Sequence, residues 1–349
     1  VRPPSASRRT IRAILALLTA SLVATACAGP PPGPTAGADA AAAAGKGATP
    51  SSSARDAGPT RLTNCGVQVE VAEVPQRLVT LHQGATEVAL ALGLEDRMVG
   101  TASIDDAIAP RWRAAYESVP VLAKESPSAE AFLATRADFA YASYASAFAK
   151  DGVGERDLLK SRGIASYVSP FGCQKSGPPA TATFDAVWGE LRDIARVFDV
   201  EDRAESIIAA QRTAMTELRA QAPGKGLRVL WFDSGDRTPF VGAGDGGPQV
   251  ILDTVGATNV FADLPGAWAD GSWERVVAAR PDVIVLADAT WSTAQQKIDY
   301  LRGDPVLGTL PAVQREAFVI LPFSETTPGV RLADGATSLA AQLRELNSR

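Results

Sequence analysis

The chain of 349 residues is expected to fold as an α/β protein of two lobes, each with a mainly parallel sheet, joined by one long helix. Three observations predict this. The first is an internal echo. Ser128-Ala-Glu130-Ala-Phe-Leu-Ala134-Thr-Arg136-Ala-Asp138 is matched 144 residues later by Ser272-Trp-Glu274-Arg-Val-Val-Ala278-Ala-Arg280-Pro-Asp282. Each copy reads as a short helix, a turn at Arg-x-Asp and a buried strand, and two copies this far apart imply two similarly built halves rather than a short-period solenoid. The second is the alternation of apolar strand-like runs with helical patterns, which favours parallel sheets. The third is the stretch Glu201 to Gln221, 21 residues without Gly or Pro, which gives a helix about 30 Å long between the halves.

Taken in order, the chain opens on a targeting pattern. Arg2, Arg8, Arg9 and Arg12 precede Ala13 to Thr25, thirteen small or apolar residues. That suits a signal peptide over residues 1–26 and is too short for a helix crossing about 30 Å of hydrocarbon. Val23-Ala24-Thr25-Ala26-Cys27 resembles a bacterial lipobox, which makes Cys27 the expected lipidation site; an ordinary cleaved signal with an incidental cysteine is the alternative. Residues 27–60 are rich in Ala, Gly, Pro, Ser and Thr and lack large apolar side chains, so they are expected to be a disordered tether.

An N-terminal lobe is expected over residues 61–200, with strands at Arg77–Leu81, Met98–Thr101 and Phe139–Ser143. Phe184, Val187, Trp188, Leu191, Ile194, Ala195 and Phe198 repeat at helical spacing and predict a core-facing helix. The connecting helix, 201–222, sets Ala204, Ile207, Ile208, Met215 and Leu218 along one face, and Pro223-Gly224 stops it. The alternative is one more helix inside a single lobe. The C-terminal lobe, 223–349, is expected to open with Leu227–Phe232 and to include strands at Val283–Ala287 and Phe318–Leu321. Ser128 and Ser272 are suitable helix N-caps, and Glu130 and Glu274 suit the positive end of each helix.

Composition excludes several functions. The 34 basic and 39 acidic residues give a net charge of −5, which becomes −9 once the four signal arginines are removed. With no basic stripe, nucleic-acid binding is not expected. Apart from Cys27, the cysteines are Cys65 and Cys173. Outside the cytoplasm they can pair, or remain two buried thiols. His82 is the sole histidine and no CxxC is present, so neither a bare metal site nor a cofactor is expected. No GxSxG elbow occurs and Ser103, near Asp105 and Asp106, lacks a paired histidine, so an enzyme is not expected.

Pro75-Gln-Arg-Leu-Val-Thr-Leu81, Gly84-Ala-Thr-Glu-Val-Ala-Leu-Ala-Leu-Gly-Leu-Glu-Asp-Arg-Met-Val-Gly100, the repeated Glu/Arg-x-Asp segments and the connecting helix resemble the iron-siderophore, haem and corrinoid receptors of ABC importers. The resemblance covers about residues 61–349. It implies two Rossmann-like lobes on a stiff helical spine, a ligand in the cleft between them, a monomeric receptor, and partners in an ABC permease with its ATPase. It also implies that Glu130 and Glu274 dock onto the permease; the alternative is that both only favour a helix N-terminus. Within that family, Asn64-Cys-Gly66, Gly152-Val-Gly-Glu-Arg-Asp157, Ser169-Pro-Phe-Gly-Cys173, Thr238-Pro-Phe-Val-Gly-Ala-Gly244, Gly247-Pro-Gln-Val-Ile251 and Thr327-Pro-Gly-Val-Arg331 look like actinobacterial receptors assigned to a precursor of the deazaflavin redox coenzyme. A tethered ligand sensor is the alternative role.

Ligands of parallel α/β sheets sit beyond the carboxyl ends of the strands. Loops placed there carry His82, Gln83, Ser103, Ser143, Tyr144, Asp233, Ser234 and the stretches Asp288–Trp291 and Phe323–Thr326. Trp268, Trp273 and Trp291 either line the cleft as aromatic walls or pack locally, whereas Trp231, inside a strand, is expected in the core. Gly242-Ala-Gly244-Asp-Gly-Gly247 fits GxGxxG, but it does not follow the lobe's first strand and Asp253 comes too soon after it for a dinucleotide fold. Its glycines are expected to make a tight turn lining the cleft. Arg331 is a candidate partner for a ligand carboxylate or phosphate, or an ordinary surface arginine.

Overall fold

The computed structural model describes residues 58–173 and 180–348. The expected signal segment, Cys27 and nearly all of the tether lie outside the described residues. The first described element is a hairpin, β1 (Thr60–Asn64) and β2 (Val67–Val71), whose first residue is the last one assigned to the tether. Its two-residue turn, Cys65 and Gly66, has both φ angles positive, as the twist of a tight hairpin demands. Leu62, Val69 and Val71 point inward while their neighbours face solvent.

The N-terminal lobe is built on β3 (Leu78–Leu81), β4 (Met98–Ala102), β5 (Val121–Ala123), β6 (Phe139–Ala142) and β7 (Ala165–Val168). All are parallel, in the order β5-β4-β3-β6-β7. The hairpin leans on the last strand through Asn64, whose side-chain amide mimics a strand neighbour: Nδ2 donates to the Val168 carbonyl at 2.7 Å and Oδ1 accepts the Val168 N–H at 2.8 Å. Cys65 and Cys173 form a disulfide with Cα atoms 5.3 Å apart, which pins the hairpin turn to the loop after β7.

Two helices follow, Phe184–Phe198 and Glu201–Gln221, separated where Asp199 takes a left-handed conformation. The first buries the apolar stripe read from the sequence. The second spans the 21 residues free of Gly and Pro and buries Ala204, Ile208, Met215 and Leu218, with Ile207 half-buried. Gln211 ties it on both sides, accepting from Trp188 Nε1 at 2.9 Å and donating to the Val330 carbonyl at 2.8 Å.

The C-terminal lobe contains β8 (Arg228–Ser234), β9 (Phe240–Gly242), β10 (Thr258–Asn259), β11 (Trp268–Asp270), β12 (Val283–Asp288) and β13 (Phe318–Pro322). The order is β11-β9-β8-β12-β13, with β10 beside the start of β8. The pairings of β8 with β10 and β12, and of β12 with β13, are parallel; β9 and β11 add an antiparallel edge that the sequence did not reveal. One apolar cluster runs from the N-terminal lobe past the paired helices into the C-terminal lobe, through Phe198, Met215, Val229 and Leu339. A separate cluster backs the other face of each sheet, so both sheets are covered on two sides, as parallel sheets require.

The echo has a structural reason. Ser128 and Ser272 cap helices Ala129–Ala134 and Trp273–Ala279, accepting the N–H groups of Ala131 and Arg275. Arg136 and Arg280 take left-handed φ values of 53° and 47° to end the turn. Asp138 then accepts the backbone N–H groups of Gln76 and Arg77 at 2.8 and 2.9 Å, and Asp282 that of Arg228 at 2.9 Å. Each aspartate thus clamps the amino end of its lobe's first strand.

Candidate ligand-binding site

The strands of both lobes end at a cavity of about 510 Å³ between them, within the range of small-molecule sites. The N-terminal lobe supplies His82, Gln83, Asp105, Asp106, Ser143, Tyr144, Ser169 and Phe171; the C-terminal lobe supplies Asp245, Trp268, Phe323, Ser324 and Thr327. A wider hollow of about 620 Å³ beside the hairpin draws only on N-terminal residues such as Arg156 and Lys150, so it lacks the two-sided wall of the first.

His82 follows the last residue of β3 with φ 74° and ψ 160°, a region that only glycine occupies without strain. Its N–H donates to the Ala102 carbonyl at 2.9 Å, which holds the turn. The imidazole meets Tyr144 edge-on, with centroids 5.0 Å apart. Burial lowers its pKa, with the Leu81 backbone opposing, so the ring is neutral at pH 7. Helix Gln83–Ala91 starts here without a cap from its own N-cap side chain; Ser143, at the end of β6, accepts the Ala85 N–H at 3.0 Å instead. Beneath, the hydroxyls of Thr80, Thr86 and Thr101 join three elements by bonds of 2.9–3.1 Å.

The opposite wall is aromatic. Trp268 stacks between Phe240 and Phe323, with centroids 6.2 and 6.1 Å away and planes tilted by 19° and 24°, and Trp291 meets Phe323 edge-on at 4.9 Å. Trp291 remains 54% exposed and does not itself line the cavity. Between the walls the lobes touch through polar bonds: Ser324 Oγ donates to Asp106 at 2.6 Å, Thr290 Oγ1 to the Asp105 carbonyl at 3.2 Å, and Arg111 to Asp334 at 2.6 Å.

Several residues placed in the cleft by sequence lie elsewhere. Arg331 is not offered to a ligand. It is buried and shared between Glu87 of the N-terminal lobe at 3.3 Å and Glu325 at 2.7 Å, and it also donates to Ser324. Burial raises the Glu87 pKa, with Arg331 opposing. Gln83 donates to Glu87 at 2.9 Å, so the cavity wall connects directly to this inter-lobe ion pair. Trp273 packs outside, on Phe232 and Tyr300, and donates to the Asp236 carbonyl at 2.5 Å. Gly242 and Gly244 serve close packing: an added Cβ would meet Pro248 at 2.5 Å and the Ala262 carbonyl at 2.2 Å. Ser103 and Ser234 do not line the cavity. Ser103 turns the chain after β4 with φ 60°, and Ser234 donates to its neighbour Asp233 at 2.9 Å. Trp231 is fully buried, as its place in a strand implies.

Asp105, Asp106, Asp245, Phe171 and Phe323 were not singled out as ligand residues, although Phe323 lies in a loop that was. The two neighbouring aspartates follow a strand's carboxyl end, which is a usable signal; Asp245 sits in the glycine-rich turn expected at the cleft, and Phe171 reaches the cavity only through tertiary packing.

Residues 78–325 match the profile of a family described as periplasmic binding protein. The chain belongs to that family. A solved periplasmic binding protein from Veillonella parvula is 30% identical, superposes with a TM-score of 0.71, and pairs 81% of this chain with 97% of its own. The vitamin B12-binding protein of Vibrio parahaemolyticus is 22% identical over 240 residues, 67% of this chain and 81% of that protein. An uncharacterised ABC transporter substrate-binding lipoprotein of Bacillus subtilis is 22% identical over 281 residues, 79% and 82% of the two chains. Members of the periplasmic binding protein family capture solutes outside the cytoplasm rather than transform them, in keeping with a cavity walled by two lobes. Among the described residues no helix is long and apolar enough to cross a membrane, and no group of His, Cys, Asp and Glu is arranged to hold a metal ion.

Proposed function

We propose that this chain is the lipid-anchored receptor of an ABC importer, holding a flat conjugated molecule or a metal chelate between its lobes and handing it to a permease. The observation that carries the reading is the two-sided cavity, with the strained His82 and Tyr144 on one wall and the Trp268–Phe323 stack on the other. Backbone strain of this kind costs about 1–3 kcal/mol and persists where function over-determines it. An aromatic wall suits a planar ligand; a corrinoid and a deazaflavin precursor each present a conjugated face, and a ferric chelate presents the outer surface of its chelator. A chelated metal brings its own ligands, so the wall needs none. Cys27 supplies the anchor, and residues up to the hairpin supply reach.

Docking falls to Glu130 and Glu274. Both are fully exposed at the first turn of the two matching helices. Backbone donors at each helix start, and then Ser128 or Ser272, hold their pKa values below the ordinary range, so both are charged. Two fixed carboxylates orient a partner more than they tighten it.

The deciding experiment is to purify the chain and record the spectrum of any co-purifying chromophore, followed by thermal shift with a ferric siderophore, a corrinoid and a deazaflavin. A ligand at a hundred times its Kd stabilises by about 2.7 kcal/mol. Absence of both chromophore and shift would overturn the reading. Reversal of Glu130 and Glu274 to arginine is expected to abolish uptake at unchanged affinity; lost affinity would count against docking.

A further inference from the structure

The charged groups that line the cavity are, among the described residues, of one sign. Among the described residues that line it, Asp105, Asp106 and Asp245 carry carboxylates, His82 is neutral, and neither lysine nor arginine is present. Arg331, the cation expected there, is committed to Glu87 and Glu325. Two of the three aspartates have partners. Asp106 accepts the Ser324 hydroxyl at 2.6 Å, and Asp245 accepts the Gly266 N–H at 2.7 Å. Asp105 differs. It is half-buried beside Tyr144 and Asp106, and no described residue donates a hydrogen bond to its carboxylate. Burial, and then repulsion from Asp106, raise its pKa. A partly desolvated carboxylate without a donor is unfavourable until something positive approaches it. The aromatic rings opposite act in the same sense, because the face of an indole or phenyl ring attracts cations.

We infer that the cleft selects ligands carrying a positive charge, with Asp105 as the counter-charge, and rejects anionic ones. The inference rests on the cleft being the ligand site and narrows what that site takes. Two sources share this chemistry, an organic heterocyclic cation and a cationic metal chelate. Polyanionic chelates, and haem with its two carboxylate arms, face like charge from Asp105, Asp106 and Asp245.

The test is a titration of the full chain, followed by tryptophan fluorescence and calorimetry. The probes are proflavine as a planar cation, ferrioxamine B as a cationic ferric chelate, and fluorescein as a planar anion of similar size. At least one of the two cations is expected to bind saturably and at least tenfold more tightly than fluorescein; which one does so identifies the source. Asp105→Asn is expected to weaken that cation at least fivefold and to narrow the gap to fluorescein. Since the Asp105 side chain accepts no described hydrogen bond, the variant should melt like the parent. Trp268→Ala should weaken every probe that enters the cleft. Fluorescein binding as tightly as the cations, with Trp268 dependence, would overturn the charge selection and leave the cleft reading standing. Cation binding indifferent to Trp268→Ala would overturn the cleft reading itself. Failure of both cations to bind would overturn the charge selection.

Discussion

In the N-terminal lobe Asp138 holds the amides of Gln76 and Arg77, and the Arg77 guanidinium folds back on the helix-terminal carbonyls of Thr135 and Arg136. In the C-terminal lobe Asp282 holds the Arg228 amide, and Arg228 reaches the Ala279 carbonyl. The joint is the same in both halves, at the amino ends of the strands and away from the cavity. At the carboxyl ends the halves part company. One offers the strained His82 turn and the carboxylate of Asp105, the other a sheet edge of antiparallel strands bearing Trp268. Repeated sequence marks where a lobe is assembled; unrepeated sequence marks where it faces the cavity.

The largest expected effect comes from breaking the contact that spans the two halves. Arg331→Ala leaves Glu87 and Glu325 buried without their cation, and removing one partner of a buried pair typically costs about 3–5 kcal/mol. Urea unfolding would measure it, and a loss below about 1 kcal/mol would show that the lobes do not depend on this tie.

A smaller effect should appear in the N-terminal half. Glu190, fully buried under Ser169 of the cavity wall, accepts the Tyr141 hydroxyl at 2.6 Å. Burial pushes its pKa up to about 7, with nearby Asp193 adding to the shift. The folded state therefore keeps a proton that the unfolded chain releases near the ordinary 4.5. Stability tied to this group should fall as pH rises from about 4.5 through 7, by about 3 kcal/mol in all, and level off above. Melts of Glu190→Gln against the parent between pH 5 and 8 would test it; parallel curves would refute it.

The shared joint predicts a matched pair. Asp138→Ala loses two backbone bonds, and Asp282→Ala loses one backbone bond together with an exposed ion pair to Arg228, so each should cost about 2 kcal/mol; losses in chemical denaturation that differ by more than about 1 kcal/mol would show that the two joints are not equivalent. Smallest is His82→Gly. It relieves the left-handed turn and should raise stability by about 1 kcal/mol while weakening whatever ligand the protein carries, as read by calorimetry.

The strands that open each lobe, the echo and the spine helix were legible because periodicity and Gly/Pro punctuation are local signals. The hairpin was also legible in principle, since Leu62, Val69 and Val71 alternate with polar residues around Cys65-Gly66. It was obscured by its place beside a low-complexity tether. The cleft was only half legible. His82, Gln83 and Tyr144 follow from strand ends and Trp268 from the tryptophans of the C-terminal half, whereas Trp291 meets the wall at Phe323 without lining the cavity. Trp273 and Arg331 did not follow, because no local pattern says which side of a helix start faces the partner lobe. The GxGxxG-like turn does reach the cavity, through Asp245, but Gly242 and Gly244 do not line it: sequence shows that a side chain is missing without showing what fills the space, here Pro248 and the Ala262 carbonyl.

The bridge between Cys65 and Cys173 lies two residues from Phe171, part of the cavity wall. Where thiols are kept reduced the bridge does not form, and that side of the wall loses its fastening to the hairpin. The firmness of this wall is therefore tied to the redox state of its surroundings.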